Sequence, residues 1–407
     1  MNENETTLHL GINAISLLSP LTGVGQYTFN LTRELQKIPG LTVYYFYGLL
    51  WSERCYLDER LVQQVSQPLV SRNIIPYAVN LIKKAVKAVI PRSYEVARWQ
   101  QQRIFTRGVR ERAITLYHDP NFIPFSFDGP VVITVHDLSL LKYPETHPQD
   151  RLRAIGRLLP KAVECADAVI VVSDFVRREV IATLDVNPGK VFTVPNGVGH
   201  EFQPLSRTET EPVLRRYGLT HQGYILTVGT LEPRKNLIRL VRAYRLLPAA
   251  LQHHYPLVVA GMKGWHYESI EQALAGLVKS GQVRLPGYLP ASDLPAMYAG
   301  AAVMVYPSLY EGFGLPPLEA MASGVPVVTS NRSSLPEVVA DAGILVEPED
   351  EAAIAESIRT LLDDEHEAHK LIQRGLKRAR QFTWERCAQE TVAVYRQALE
   401  VAGATPA

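Results

Sequence analysis

Glu311-Gly312-Phe313-Gly314-Leu315-Pro316-Pro317-Leu318-Glu319 sets two carboxylates eight residues apart on either side of a glycine turn. Gly312 and Gly314 permit backbone conformations closed to residues with a Cβ, so amide N–H groups can converge on a bound anion. Residues 315–321 read as a helix, with Pro316 and Pro317 in the first turn, where a missing N–H removes no helical hydrogen bond. A helix N-terminus carries roughly half a positive charge and attracts phosphate. Glu319 falls about one turn inside that helix and Glu311 before it, so both can reach one ligand from different sides. The competing reading is a buried helix with two solvated glutamates.

Working outward, residues 302–305 and 325–329 read as strands, and the alternation continues in both directions. In the second half, strands are expected at 224–228, 257–260, 283–285 and 344–346, with helices at 236–246, 267–279, 291–299, 335–339, 351–362, 365–381 and 384–401. The first half offers strands at 8–14, 42–47, 131–135, 168–172 and 191–194, with helices at 25–38, 151–165 and 174–184. Residues 200–222 read as a polar, unpatterned linker. Strands alternating with helices make parallel sheets covered on both faces. At 407 residues the chain exceeds one ordinary core. The expected architecture is α/β: two doubly wound Rossmann-like domains facing across a cleft. Its expected parts are 1–205, 206–382 and a C-terminal helix, 383–407, that crosses back to the first domain.

Composition is that of a globular protein, 46% hydrophobic and 20% charged. Cys55, Cys165 and Cys387 lie far apart without a CxxC pair, which speaks against a disulfide framework or a zinc site and for a reducing, cytoplasmic setting. Residues 1–7 lack the apolar core of a signal peptide. No apolar run approaches the ~18 residues of a membrane span. Residues 72–112 hold ten Lys or Arg against Glu95 and Glu111, a net +8 that leaves −7 for the rest of a chain of net charge +1. Ile, Val, Leu and Tyr interleave with the lysines, and Trp99 and Phe105 follow. Such a segment can lie on anionic lipid, or pack on its own domain with a solvated basic face. Nothing elsewhere supports nucleic-acid binding.

Ligands of doubly wound sheets bind beyond the carboxyl ends of the strands. Thr22-Gly23-Val24-Gly25 opens the first helix there. A nicotinamide-binding turn would want a third glycine where Thr28 stands, so that reading is weak. His136 and Asp137 end the strand 131–135, and His136 can offer a hydrogen bond to a reacting sugar. Gly229-Thr230-Leu231-Glu232-Pro233-Arg234-Lys235-Asn236 follows the first strand of the second half. Its adjacent guanidinium and ammonium form a diphosphate clamp, Arg234 binding two oxygens at once and Lys235 acting as a point charge.

Taken together, Gly23 with Gly25, His136, Pro195-Asn196-Gly197-Val198, Gly229 with Arg234 and Lys235, and the Glu311 to Glu319 segment resemble the group 1 family of retaining GT-B glycosyltransferases. The resemblance spans about 8–395 and looks most like its mannosyltransferases. It implies a nucleotide-sugar donor bound by the second domain and a saccharide or lipid-linked acceptor bound by the first. Donor-binding residues would be Gly23, Gly25, Gly229, Arg234, Lys235, Glu311, Gly312, Phe313, Gly314, Leu315 and Glu319. Among these, Glu319 would hold the ribose and Glu311 the transferred sugar. His136, near the anomeric carbon, would act in catalysis with Glu311, Arg234 and Lys235. Many family members carry an arginine directly after the glycine, where this chain has Thr230, so the clamp's arginine is assigned to Arg234.

Breaking a sugar–phosphate bond builds positive charge on the anomeric carbon and negative charge on the departing diphosphate, so cations aimed at the diphosphate lower the barrier. No acidic metal-binding motif follows a strand of the first domain, and no metal or cofactor is expected. Retention can use a covalent carboxylate intermediate or front-face attack, and carboxylates assigned to binding sugar and ribose favour front-face attack. The expected activity moves a hexose, mannose from GDP-mannose, in polysaccharide synthesis. UDP- or ADP-sugars are the alternative donors. A non-catalytic sugar-nucleotide-binding partner protein is the alternative of another class.

Overall fold

Val131–Val135 and Ala168–Val171 are buried at every position, with no alternation between an inner and an outer face. Runs of this kind belong to interior strands of parallel sheets, covered on both sides. The computed structural model describes residues 7–18, 21, 23–55, 93–147 and 149–403, and within them two such sheets. The first comprises β1 (Leu8–Asn13), β2 (Leu41–Phe46), β3 (Trp51–Ser52), β4 (Leu116–Asp119), β5 (Val131–Val135), β6 (Ala168–Val171) and β7 (Val191–Thr193), in the order β3-β2-β1-β4-β5-β6-β7. Pairing of β1 with β2 and β4, and of β4 with β5, is parallel; the edge strand β3 runs antiparallel to β2. The second comprises β8 (Ile225–Val228), β9 (Leu257–Ala260), β10 (Val283–Gly287), β11 (Val303–Tyr306), β12 (Val327–Ser330) and β13 (Ile344–Val346). Their order is β10-β9-β8-β11-β12-β13, parallel throughout.

In the second sheet the chain runs outward from β8 through β9 to β10, then returns beside β8 with β11 and runs the other way. The loops after β8 and β11 therefore leave neighbouring strands in opposite senses, the switch point at which open α/β sheets bind ligands. Alternate residues feed opposite faces. Leu226, Val258, Met304 and Val327 enter one apolar cluster, and their neighbours Ile225, Leu257, Val259, Val303, Val305 and Val328 enter the other. This alternation follows from the period of two along a strand.

The chain divides into two compact units, one of residues 1–134, 162–169 and 392–407, the other of 135–161 and 170–391. The expected boundary at 205 falls inside the second unit, and the helix Trp384–Val401 passes from the second to the first at Val392.

Three local expectations need correction. Residues 200–222 are not a bare linker: Arg207–Arg216 is helical, with Glu209 Oε2 accepting the Ser206 N–H at 2.7 Å and Thr210 and Leu214 buried. That Ser-x-x-Glu start was present in the sequence. Strand β4 was missed because its Leu-Tyr-His-Asp sequence is half polar. All four residues are buried, His118 bonding Tyr395 at 2.7 Å and Thr134 at 2.8 Å, and Asp119 accepting from Asn13 Nδ2 at 2.7 Å. The short helix Ala249–His254 was missed too. Of the basic stretch 72–112, residues up to 92 lie outside the described residues, and Ser93–Glu111 is a helix.

Candidate active site

Two loops build the site, both in the second unit. After β8, Gly229 turns with φ +154° and the chain enters a short 3-10 turn, Pro233–Lys235. Asn236 follows with a left-handed φ of 59° and ties this loop to the next, its Nδ2 donating to Pro307 O at 3.0 Å and Pro348 O at 2.6 Å. After β11, the chain passes through Ser308 and Tyr310 to Glu311. Gly314 takes φ +113° and starts the helix Leu315–Ala322, with prolines in its first turn as expected. The turn between is held by serines. Ser333 Oγ accepts the Glu311 N–H at 3.0 Å, Ser334 Oγ donates to the carbonyls of Glu311 and Phe313, and Ser173 Oγ donates to Gly312 O at 2.7 Å.

Gly312 lies against the end of β5. A Cβ there would stand 1.8 Å from His136 O and 3.0 Å from Asp137 Cβ, so only glycine lets the turn close on that strand. The sequence places a glycine at this point, and the structure shows that it serves backbone approach. Phe313 is buried in the core with its ring 5.7 Å from that of Phe382, edge to face. Its side chain packs, and its backbone shapes the turn.

Glu311 is the hub. Its Oε1 accepts from Lys235 Nζ at 2.6 Å, Ser308 Oγ at 2.6 Å and the Tyr306 hydroxyl at 2.9 Å, and its Oε2 accepts from Arg234 Nη1 at 3.3 Å. Burial alone would raise its pKa, but the two cations and these donors hold the carboxyl below the ordinary range. A carboxylate offers about four acceptor positions; three of these donors converge on Oε1 and one reaches Oε2.

Arg234 is buried and hydrogen-bonds to Glu232, Tyr310 and Glu311. Its Nη2 donates to Glu232 Oε1 at 2.8 Å and its Nη1 to Tyr310 O at 2.7 Å, while Asp137 Oδ2 stands 3.9 Å away. Burial works to discharge the guanidinium, and the Glu311, Asp137 and Glu232 carboxylates outweigh it and raise its pKa. Asp137 is held below its usual value: burial opposes ionisation, and Arg234 together with the Ser139 N–H, which Oδ1 accepts at 2.8 Å, overcomes it. The cluster thus sets Glu232, Glu311 and Asp137 against Arg234 and Lys235, a net −1. Removing one partner of such a buried set costs about 3–5 kcal/mol, because a charge is left uncompensated.

Glu319 has no such company. Burial pushes its carboxyl up to about 7, with the Glu201 carboxylate adding to the rise and the Tyr298 hydroxyl opposing it. Leu315 is half-buried at the helix start. In the first unit, Gly23 is the first residue of the helix Gly23–Leu35, with open space where a Cβ would be, and Gly25 lies close to Leu21 and the Ser16 carbonyl.

The second unit therefore brings together His136, Gly229, Arg234, Lys235 and the residues 311–315. Sequence reasoning missed Glu232, Tyr306, Ser308, Ser173, Ser333 and Ser334, and read Asp137 only as a strand end. Glu232 stood within the quoted motif, and its pairing with Arg234 two residues on was readable. Ser173 and Ser334 carried no signal, because they donate to backbone carbonyls distant in sequence, whereas Ser308 lies three residues before Glu311 and donates to its Oε1. Among the described residues, no group of three or more His, Cys, Asp or Glu is arranged to hold a metal ion.

Two α/β units, each built on a largely parallel sheet, make the GT-B fold. The fold is shared with sucrose-phosphate synthase from Thermosynechococcus elongatus, at TM-score 0.73 and 21% identity over 97% of this chain and 99% of that one. WaaG, a glycosyltransferase involved in lipopolysaccharide biosynthesis, shares it at TM-score 0.67 and 16% identity, over 97% of this chain and all of that one. Residues 215–378 match the family described as Glycosyl transferases group 1, and residues 21–202 match Glycosyltransferase Family 4. O-antigen chain mannosyltransferase B of Escherichia coli is 37% identical over 381 residues, 93% of this chain and 96% of that protein. The chain belongs to the group 1 glycosyltransferases, and is an enzyme of the hexosyltransferase class.

Proposed function

We propose that the chain transfers mannose from GDP-mannose to a growing surface polysaccharide, with retention and without a metal. The identity to an O-antigen mannosyltransferase over nearly the whole chain supports the sugar. The observation that carries the site is the buried pairing of Lys235 with Glu311 at the switch point.

In this reading Lys235 leaves Glu311 to meet the donor's diphosphate, and Glu311 takes a hydroxyl of the transferred sugar in exchange. Arg234, with its donors committed to Glu232, Tyr310 and Glu311, keeps the carboxylates in place rather than clamping phosphate. The amides around Gly314 and the start of the helix Leu315–Ala322 supply the rest of the anion site, while Glu319 accepts from the ribose. Charge building on the leaving diphosphate strengthens each of these contacts as the bond breaks. Attack on the same face, assisted by the diphosphate as base and by His136 near the anomeric carbon, accounts for retention.

A lipid-linked acceptor would be reached by docking the basic segment on anionic lipid. The helix Ser93–Glu111 carries an exposed Trp99 with Arg103 over its ring, and these line a shallow groove of about 450 Å³ with Arg107 and Arg110. No helix among the described residues is long and apolar enough to cross a membrane.

A thermal-shift screen against GDP-, UDP- and ADP-sugars tests the donor, since a ligand bound only by the native state raises the melting temperature. GDP-mannose is expected to give the largest shift, and a larger shift from a UDP- or ADP-sugar replaces it. Full turnover by the Lys235→Ala, Glu319→Ala double variant would sink the assignment, and loss of activity to a chelator would remove the metal-independence. Equal flotation with neutral and anionic vesicles counts against the membrane contact.

A further inference from the structure

The loop after β9 is fastened more firmly than a surface loop requires. Leu231 N–H donates to Met262 O at 2.8 Å, Gly264 N–H donates to Leu231 O at 3.0 Å, and a parallel bridge joins Leu231 to Lys263. Gly264 presses on the site loop, since a Cβ there would stand 2.8 Å from Thr230 Cγ2 and 3.1 Å from Glu232 Cβ. His266 adopts a left-handed φ of 55°, unfavourable for a residue with a side chain. Between these two residues stands Trp265, 40% exposed.

Trp265 is also anchored from a second direction. Its ring centroid is 6.2 Å from the imidazole of His147, tilted by 54°. His147 is buried, its Nε2 sharing a 3.1 Å hydrogen bond with Ser139 Oγ, and Ser139 in turn donates its N–H to Asp137. Through Gly264 and Glu232 on one side, and through His147, Ser139 and Asp137 on the other, the indole is tied to two carboxylates that flank Arg234. Among the described residues, Trp99 is the other large exposed aromatic, and it lies on a helix of the first unit.

We propose that Trp265 is the platform on which a pyranose ring of the acceptor saccharide stacks, an inference that rests on the transferase reading above. The face of an indole carries the negative part of its quadrupole, and the C–H groups on the flat side of a pyranose are weakly positive. Stacking buries that apolar side and leaves the sugar hydroxyls at the ring edge free for polar partners. A rigid aromatic does this at little conformational cost. The chain of contacts from Trp265 runs to Ser139 and Asp137, beside His136, where an acceptor hydroxyl must approach. Its other arm, through Gly264, ends at Glu232, and GDP affinity in the variants shows whether the indole serves the nucleotide instead.

The test compares the full chain with Trp265→Ala and Trp265→Phe, titrating mannotriose by saturation-transfer NMR and GDP by calorimetry. Trp265→Ala is expected to weaken mannotriose binding roughly tenfold, the worth of one aromatic contact, and Trp265→Phe to stay within about threefold. GDP affinity should be the same in all three. Unchanged mannotriose binding in the alanine variant overturns the proposal. So do absent binding in the wild type, an equal loss in the phenylalanine variant, and a matching loss of GDP affinity, which would make the indole a base platform or a fold element. Turnover separates the two levels. A wild type that neither transfers nor hydrolyses any sugar nucleotide fails the transferase reading. A wild type that transfers, with an acceptor KM unmoved by Trp265→Ala, fails only the platform.

Discussion

Glu319 and Glu311 are eight residues apart and titrate in opposite directions. Glu311 and Asp137, held low by Arg234 and Lys235, stabilise the fold above the ordinary carboxylate range and lose that contribution as pH falls through their folded values. Glu319, raised to about 7, does the reverse. Its contribution is fully present below the unfolded value near 4.5 and is lost as pH rises through about 7, a cost of about 3 kcal/mol at pH 8. Urea unfolding at pH 5 and pH 8 should therefore show a smaller drop in stability for Glu319→Gln than for the wild type. Equal drops would mean that Glu319 does not carry the effect. If Glu319 holds the ribose as proposed, nucleotide affinity should move the other way, tightening as pH rises through 7, because the ionised carboxylate is the better acceptor for ribose hydroxyls. The placing of both glutamates around a glycine turn at a helix start was legible in the sequence. Their opposite ionisation was not, since it depends on Glu201, Tyr298 and Arg234, whose positions only the fold supplies.

The strand–turn–helix unit around Gly312 is where the sequence was most informative. A glycine pair followed by two prolines gave the turn and the helix start before any contact was known, and β11, β12 and the helix Leu315–Ala322 lie within about two residues of their expected limits. The conditions that hold the turn closed came from elsewhere in the chain: the end of β5, Ser173, and the serine pair 333–334. Gly312→Ala should be costly, because the added methyl meets a backbone carbonyl that cannot turn aside. Relief requires the turn to move off β5, carrying Glu311 with it. Transfer is expected to fall at least a hundredfold, in line with a displacement of about 1 Å in a catalytic group, alongside a lower melting temperature. Wild-type activity in this variant would show that the closure on His136 does not matter.

Across the whole molecule, fold class was readable because parallel strands buried on both faces leave long apolar runs that alternate with helices. What escaped was polar and internal. Strand β4 looked like a loop because a histidine and an aspartate occupy it, and those residues are tolerated only because residues far away in sequence satisfy them. His118 and Tyr395, 277 positions apart, join β4 to the last helix within the first unit. Tyr395→Phe leaves an imidazole nitrogen buried without its partner and should cost about 1–3 kcal/mol, read as a lower urea midpoint. An unchanged midpoint would mean that the last helix is held by its apolar face alone.

The pairing of Lys235 with Glu311 bears on turnover. Four donors surround that carboxylate, and Lys235 commits two of its three N–H donors to Glu311 Oε1 and the Tyr306 hydroxyl. On the proposed reading, a nucleoside diphosphate left behind after the sugar departs shares that ammonium with an internal anion. An internal competitor of that kind would shorten the product's stay and ready the site for the next donor.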